Sequence, residues 1–538
     1  MNRKKMITLI ITWSIFVGCV VCINFLPIGV AKSLNNHTIT GDGIKIYYDL
    51  FAPKGDSSLK NGIILGHGVM VNKQFMRSIA LDLAQNGFVV AAFDFRGHGR
   101  SGGTLLRENI TLDILAIKNI FALRGDINMS NLGYLGYSMG GGAGYQLLSS
   151  DPDFRAMVSL ASSGSSPQDP PNLLILQGKI DEVVEYDHVL QYISNRTGIA
   201  TENIEPGITY GSISDGNATK LILSNTDHLL APYSRNNILE TRKWFLQTLE
   251  NENNSPTEMT SHTLLILFVV IGTCSGIVAF IFSAEFIIKK LSTQKSDYED
   301  ISALVEKIDR NELRKKVLRR YWYTVLPLSI PCVIVGALSL VLPIFYTSLI
   351  IILLSGSAAA STFYLWYLLK KEGIRFERFL KNEFRRTSIV NIAIGIGLGL
   401  ALYAVLGLTI GYIFGIVPGI SKWGWAALYW IFMFLIMFTN TLFFRTVYGT
   451  PNTTFSGKFK ELGLVTAMNF VPITIIILIS VGIFRSWFNI QFLIPIFPQI
   501  ILINAVAIKI YSVNKDVVLS SLVNSVMLTI FTIALSFL

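Results

Sequence analysis

Hydrophobic residues follow two distinct patterns along this chain. Between residues 32 and 250 they form short β-branched runs, separated by stretches in which apolar positions recur at helical spacing. Such alternation is the mark of an α/β fold built on a parallel sheet. It predicts strands over 62–65, 88–93, 132–136, 156–161, 173–176 and 220–223. Helices are expected near 74–85, 110–123, 139–148 and 236–249.

Outside that region the apolar runs are far longer. The first, from residue 6 to about 31, follows the basic opening MNRKK. A cleaved signal peptide has an apolar core of about 7–15 residues, whereas this run is long enough to cross a hydrocarbon layer about 30 Å thick. Residues 1–31 are therefore expected to be an uncleaved signal anchor, with a cleaved peptide as the alternative. A polar linker, 251–263, leads into eight further expected spans near 264–288, 323–343, 347–369, 389–416, 425–444, 464–484, 492–511 and 517–538. The expected domains are thus 1–31, 32–250, the linker 251–263, and an all-α polytopic region 264–538. Lys and Arg alternate between the breaks: ten in 289–320, seven in 370–386 and three in 445–463, against almost none between. An excess of these residues marks cytoplasmic loops. The N-terminus and those three breaks should face the cytoplasm, and the α/β domain and Leu538 the outside.

Composition sharpens this division. Of 538 residues, 51% are hydrophobic and 15% charged, with a mean hydropathy of +0.50. An ordinary soluble chain carries about 25% charged residues, so the protein is not soluble throughout. The net charge of +10 does not indicate a nucleic-acid partner. Residues 31–260 hold 18 Lys and Arg against 23 Asp and Glu, so the basic excess belongs to the apolar half. Cys19, Cys22, Cys274 and Cys332 all lie in apolar runs, so the polar domain has no disulfide framework and no cysteine-based zinc site. No cofactor and no metal is expected.

Candidate chemistry concentrates in the polar domain. Gly136-Tyr137-Ser138-Met139-Gly140 matches G-x-S-x-G, a tight turn that holds a serine between a strand and a helix. A serine hydroxyl needs a base, and the base an orienting acid. Asp181 and His228 each follow a predicted strand, in the order Ser, acid, His. Glu182 and Asp227 are rival acids, and His188 is the competing histidine. The backbone N–H groups of Met139 and of Val69, in the turn after the first buried strand, are candidates for holding an oxyanion.

Five motifs occur in a set order over about 200 residues: GHG at 66–68, FDFRGHGRSGG at 93–103, GYSMGG at 136–141, GKIDEVV at 178–184 and the Asp227-His228 pair. In these the domain resembles the α/β-hydrolase superfamily, and its 94–101 segment resembles the branch of monoglyceride lipases, lysophospholipases and serine aminopeptidases. The resemblance implies that fold, a Ser138–Asp181–His228 triad and cleavage of an ester, thioester or amide. It implies structural roles for Asp94, Arg96 and His98. One departure stands out. Members of that branch commonly carry a helical cap between the strand after the nucleophile and the acid, and here only SSGSSPQDPPN joins those strands. The stretch 195–217 is long enough to cover part of the site.

The expected protein is a membrane-bound serine hydrolase with its catalytic domain outside the cytoplasm. Its expected partners are the lipid bilayer and a small-molecule, lipid or peptide substrate, with the outer ends of the spans completing the missing cap. A serine peptidase, and a transporter or receptor with an accessory hydrolase, are the alternatives.

Overall fold

The computed structural model describes residues 3–55, 58–165, 169–253, 258–293, 310–448, 454–484 and 487–538. Parts of the expected breaks 162–172, 251–263, 289–320, 445–463 and 485–491 lie outside the described residues. The chain forms two compact units. One comprises residues 18–271, 409–421 and 534–538; the other comprises 1–17, 272–408 and 422–533. The first unit thus takes in more than the expected 32–250.

The first unit has the α/β-hydrolase fold that the motifs predict. The N-terminal helix α1 (Arg3–Phe25) leads into β1 (Val30–Ile39), β2 (Lys45–Pro53) and β3 (Lys60–Gly66). Then come α2 (Arg77–Gln85), β4 (Val89–Phe93), α3 (Ile110–Ala122), β5 (Ile127–Tyr137), α4 (Met139–Leu148), β6 (Phe154–Leu160) and β7 (Leu173–Gly178). The unit continues through α5 (Tyr186–Thr197), β8 (Thr209–Tyr210), β9 (Thr219–Ser224) and α6 (Arg235–Leu249). The nine strands run in the order β1-β2-β4-β3-β5-β6-β7-β9-β8. From β4 to β9 neighbours are parallel, while β1, β2 and β8 add antiparallel pairs at the edges.

Central parallel strands are buried on both faces, so their apolar residues alternate between two cores. Ile63, Leu65, Val90, Leu135, Val158 and Leu176 pack toward α2 and α6. Ile64, Ala91, Tyr134, Met157 and Ile175 pack toward α3, α4 and α5. Leu265, Val269, Tyr412 and Ile413, all within the same unit, complete the first of these cores.

All six predicted strands are present, each within a few residues. The β1–β2 hairpin was not expected. The stretch 195–217 does not cover the site. Asn172 N–H donates to Gly216 O, and Gly207 N–H to Leu221 O, which places it against β9 and the starting end of β7. A crossover into a parallel strand must return to that end of the sheet.

The second unit is helical: α7 (Thr260–Leu291), α8 (Arg310–Ala337), α9 (Phe345–Lys371), α10 (Phe376–Arg386), α11 (Ile389–Gly407), α12 (Ile420–Tyr448), α13 (Phe455–Phe484), α14 (Leu493–Asn514) and α15 (Val517–Leu535). The first turns of α7 belong to the hydrolase unit. Among the described residues, eight helices are long and apolar enough to cross a membrane: α1, α7, α9 and α11 to α15. The expected span 323–343 falls in α8 and a 3-10 turn, Leu338–Val341. Its charged first half, RNELRKKVLRR, sets it apart from those eight. The expected span 389–416 stops at Gly407, because residues 409–421 belong to the hydrolase unit.

Polar side chains tie this bundle together, as hydrogen bonds do between apolar helices. Asn440 Nδ2 donates to Asn469 Oδ1 at 2.9 Å, and Asn469 Nδ2 to Asn504 Oδ1 at 3.2 Å. Glu285 accepts from Lys5, Lys289 and Lys509. A buried Arg445–Glu461 pair at 2.8 Å was not anticipated.

Candidate active site

Ser138 occupies the turn between β5 and α4 at φ +51°, a region that L-residues rarely enter. The surrounding glycines make this turn possible. A Cβ on Gly136 would collide with the Gly140 backbone, and one on Gly140 with the Gly66 carbonyl. The hydroxyl is thereby raised at the C-terminal edge of the sheet.

The loops after β7 and β9 bring the other two groups to it. His228 Nε2 lies 3.0 Å from Ser138 Oγ, and His228 Nδ1 lies 3.0 and 3.1 Å from the two Asp181 oxygens. A carboxylate can only accept, so Nδ1 keeps its proton and donates it in a hydrogen bond to Asp181, which leaves the Nε2 lone pair facing the serine hydroxyl. Asp181 is itself oriented by the N–H groups of Val183 and Val184, each 2.9 Å from Oδ1. Both side chains are buried, at 0% exposure for Asp181 and 3% for His228.

The rival residues have other partners. Glu182 Oε2 accepts from the His228 backbone N–H, and Asp227 Oδ1 from Leu230 N–H. His188 lies on α5, exposed, beside Glu185. Burial pushes the Glu182 carboxyl above its ordinary value, the nearby Asp181 charge adding to it. The Tyr137 hydroxyl donates to His228 O at 3.0 Å and so steadies the histidine loop. Burial pushes that phenol well above its usual range, with Asp181, Glu182 and Asp227 reinforcing the shift. Nothing in the sequence singled out Tyr137 for this contact.

Two backbone positions flank the serine. Met139 opens α4, where the first N–H groups have no partner within the helix. Val69 follows His67-Gly68 in the turn after β3. A Cβ on Gly68 would come within 2.8 Å of the Tyr137 ring and 3.2 Å of Ser138 Cβ, so only glycine lets this turn lie against the nucleophile. His67 braces it from behind: Nε2 accepts from Phe95 N–H at 3.0 Å, so Nδ1 donates to Gly68 O at 2.7 Å.

The FDFRGHGRSGG loop is a set of buried ion pairs. Lys73 Nζ meets Asp94 Oδ2 at 2.8 Å, both side chains at 0% exposure. Burial alone would raise the Asp94 carboxyl, but the Lys73 ammonium outweighs it and holds the group below its ordinary value. Arg96 lies between Asp113 and Asp42, each at 2.7 Å. His98 is buried and stacks on Phe537 with ring centroids 5.2 Å apart. The contacts of all three lock loops together. Among the described residues no group of three or more His, Cys, Asp or Glu is arranged to hold a metal.

The family match to known proteins falls within the first unit. Residues 57–195 match the family model described as serine aminopeptidase, S33. A monoacylglycerol lipase from Mycolicibacterium smegmatis is 30% identical over 118 residues, 21% of this chain and 41% of that protein. The match therefore spans about two fifths of that curated relative's length. Among solved structures, an esterase of Pyrococcus furiosus is 17% identical with a TM-score of 0.33, covering 41% of this chain and 93% of its own. An α/β hydrolase from Penicillium sp. sh18 is 12% identical with a TM-score of 0.31, covering 41% of this chain and 100% of its own. Strand order and motif order give the first unit the α/β-hydrolase fold, and residues 57–195 within it are similar to the serine aminopeptidase family.

Proposed function

We propose that this chain is a membrane-bound serine hydrolase that cleaves an ester, thioester or amide of an apolar, lipid-like substrate at the outer membrane face. The observation that carries the reading is the continuous Ser138–His228–Asp181 relay at the elbow. Ser138 Oγ attacks the carbonyl carbon as its proton passes to His228 Nε2. The resulting oxyanion is held by the Met139 and Val69 N–H groups. Asp181 stabilises the imidazolium, which then returns the proton to the leaving alcohol, thiol or amine. Water, deprotonated by the same histidine, releases the acid from the acyl-serine.

Two features support an apolar substrate. Ile180, beside Asp181, and Leu230, two residues after His228, are 69% and 44% exposed, so uncovered apolar surface adjoins the triad. The eight apolar helices support attachment to a bilayer. The distribution of Lys and Arg supports an outward-facing hydrolase unit.

The test reconstitutes the full chain in phospholipid vesicles and compares a long-chain monoacyl ester with an aminoacyl amide, in wild type and Ser138→Ala. Ester cleavage that falls by at least about a thousandfold in the variant is the expected result. Cleavage of the amide alone would instead favour the peptidase reading that the matched family's description suggests. Labelling of Lys316→Cys by an impermeant thiol reagent outside intact cells would overturn the orientation.

A further inference from the structure

The sequence predicts that residues 408–416 continue a span, with only a short break before the next span at 425. Residues 409–421 instead belong to the hydrolase unit, and a helical turn, Gly411–Phe414, lies against the loops beside the serine. Three of its carbonyl oxygens accept hydrogen bonds from hydrolase side chains. Arg77 Nη1 donates to Tyr412 O at 2.8 Å, the Tyr233 hydroxyl to Ile413 O at 3.1 Å, and Asn72 Nδ2 to Gly415 O at 2.7 Å. The Arg77 guanidinium also stacks over the Tyr412 ring, 4.4 Å from its centroid.

Asn72 and Tyr233 come from the two loops that the chemistry depends on, and Arg77 opens α2. Asn72 and Arg77 lie just beyond Val69, and Tyr233 lies five residues beyond His228. The Asn72 side chain also accepts from Gln74 N–H, so the residue that grips Gly415 also shapes the turn ahead of α2. The aromatic contacts follow the same route. Phe414 meets Phe75 at 5.6 Å and Tyr233 at 5.8 Å; Phe75 meets Tyr137 at 5.6 Å; and Tyr137 meets His228 at 5.4 Å. A continuous run of tilted ring contacts thus leads from the segment to His228.

We propose that residues 411–415 are a positioning element of the active site, a clamp that fixes the loop carrying Val69 relative to the loop carrying His228. The proposal rests on the hydrolase reading above. Buried hydrogen bonds to backbone carbonyls hold position without regard to the segment's side chains, and the aromatic contacts stiffen the same path. With the clamp loosened, the Ser138–His228 distance and the oxyanion donors lose their shared alignment. A misplacement of about 1 Å can lower turnover about a hundredfold. Short and long substrates should suffer alike, because the clamp does not touch the acyl chain.

Gly415→Ala is the test. Gly415 has φ +62°, and a Cβ there would collide with Asn72 Oδ1 and crowd Gln74 Oε1. The full chain in vesicles is titrated with a fluorophosphonate, and turnover of a short and a long ester is expressed per labelled Ser138. The expected result is a tenfold to hundredfold fall in kcat for both esters, with KM nearly unchanged and slower labelling. Tyr233→Phe keeps the ring contacts and removes only the bond to Ile413 O. It should lower kcat severalfold in the same way, and it answers the question if Gly415→Ala does not fold. Wild-type kcat per labelled site in Tyr233→Phe and in folded Gly415→Ala would overturn the clamp. So would losses confined to KM or to the long ester. Failure of the wild type to label at Ser138 would overturn the hydrolase reading itself, a separate outcome.

Discussion

Replacing Lys73 by methionine isolates the contribution of one buried ion pair beneath the site. Lys73 Nζ and Asp94 Oδ2 are 2.8 Å apart, with neither side chain exposed. Asp94 also accepts from the backbone N–H groups of Lys73 at 2.8 Å and Arg100 at 3.1 Å. Methionine fills the volume of the lysine stem but leaves the carboxylate buried with two amide donors and no counter-charge. Removing one partner of a buried pair costs about 3–5 kcal/mol. In a domain of this size each kcal/mol shifts Tm by about 2–4 °C, so the hydrolase unit should melt on the order of 10 °C lower at pH 7. The sign of the pH dependence follows from the same contacts. In the wild type Lys73 holds the Asp94 carboxyl below its ordinary value, so the stability it contributes is present above the unfolded carboxyl range and fades as pH falls below it. In the variant only the two amide donors oppose burial, which raises that carboxyl, so protonation relieves the penalty and the deficit shrinks as pH falls. Residual ester turnover after graded heating of the full chain reads the hydrolase unit separately from the helices. Adding Asp94→Leu should recover most of the loss, because no orphan charge remains. A Lys73→Met variant within 2 °C of wild type at pH 7 would refute the reasoning.

Three further outcomes follow from other contacts. Asp181→Asn keeps the shape but can present an amide N–H to His228 Nδ1, favouring the wrong tautomer; kcat should fall about 10⁴-fold with KM little changed, as steady-state ester kinetics will show. Gly140→Ala places a Cβ against the Gly66 and His67 backbones, where no flexible side chain can give way, so fluorophosphonate labelling should be lost. Burial raises the Asp82 carboxyl to about 6, the Arg242 guanidinium 3.4 Å away offsetting only part of the shift. Between about pH 4 and 6 the folded chain then holds a proton that the unfolded chain releases, so this group's contribution declines as pH rises and is flat above. Asp82→Asn should remove that slope, measured as Tm against pH; parallel wild-type and variant profiles would contradict it.

What could be read in the sequence follows from how each feature is encoded. The central strands were legible because a strand buried on both faces, such as Ile63–Ile64–Leu65, is a continuous apolar run. Ser138, Asp181 and His228 were legible because each follows such a strand within a few residues. The β1–β2 hairpin was not. In β1 most residues after Val30 are at least partly exposed and polar, and the register shifts between Ser33 and Asn36, so neither run nor alternation marks it. Lys73 gave no signal, since a lysine in a helical stretch reads as a solvated side chain until Asp94 folds against it. The clamp was beyond reach for a different reason: Tyr412, Ile413 and Gly415 contribute backbone oxygens, which every residue type carries. Only Gly415, at positive φ in an otherwise apolar run, left a trace, and a glycine in such a run also marks an ordinary helix end.

The central claim is that Ser138 is a nucleophile activated by His228 and Asp181. It is tested most directly by treating the full chain in vesicles with a fluorophosphonate and locating the adduct by peptide mass spectrometry. The account predicts a single adduct on the peptide containing Ser138, absent in Ser138→Ala and much slower to form in His228→Ala. An adduct of wild-type extent on another serine in the Ser138→Ala variant would contradict it.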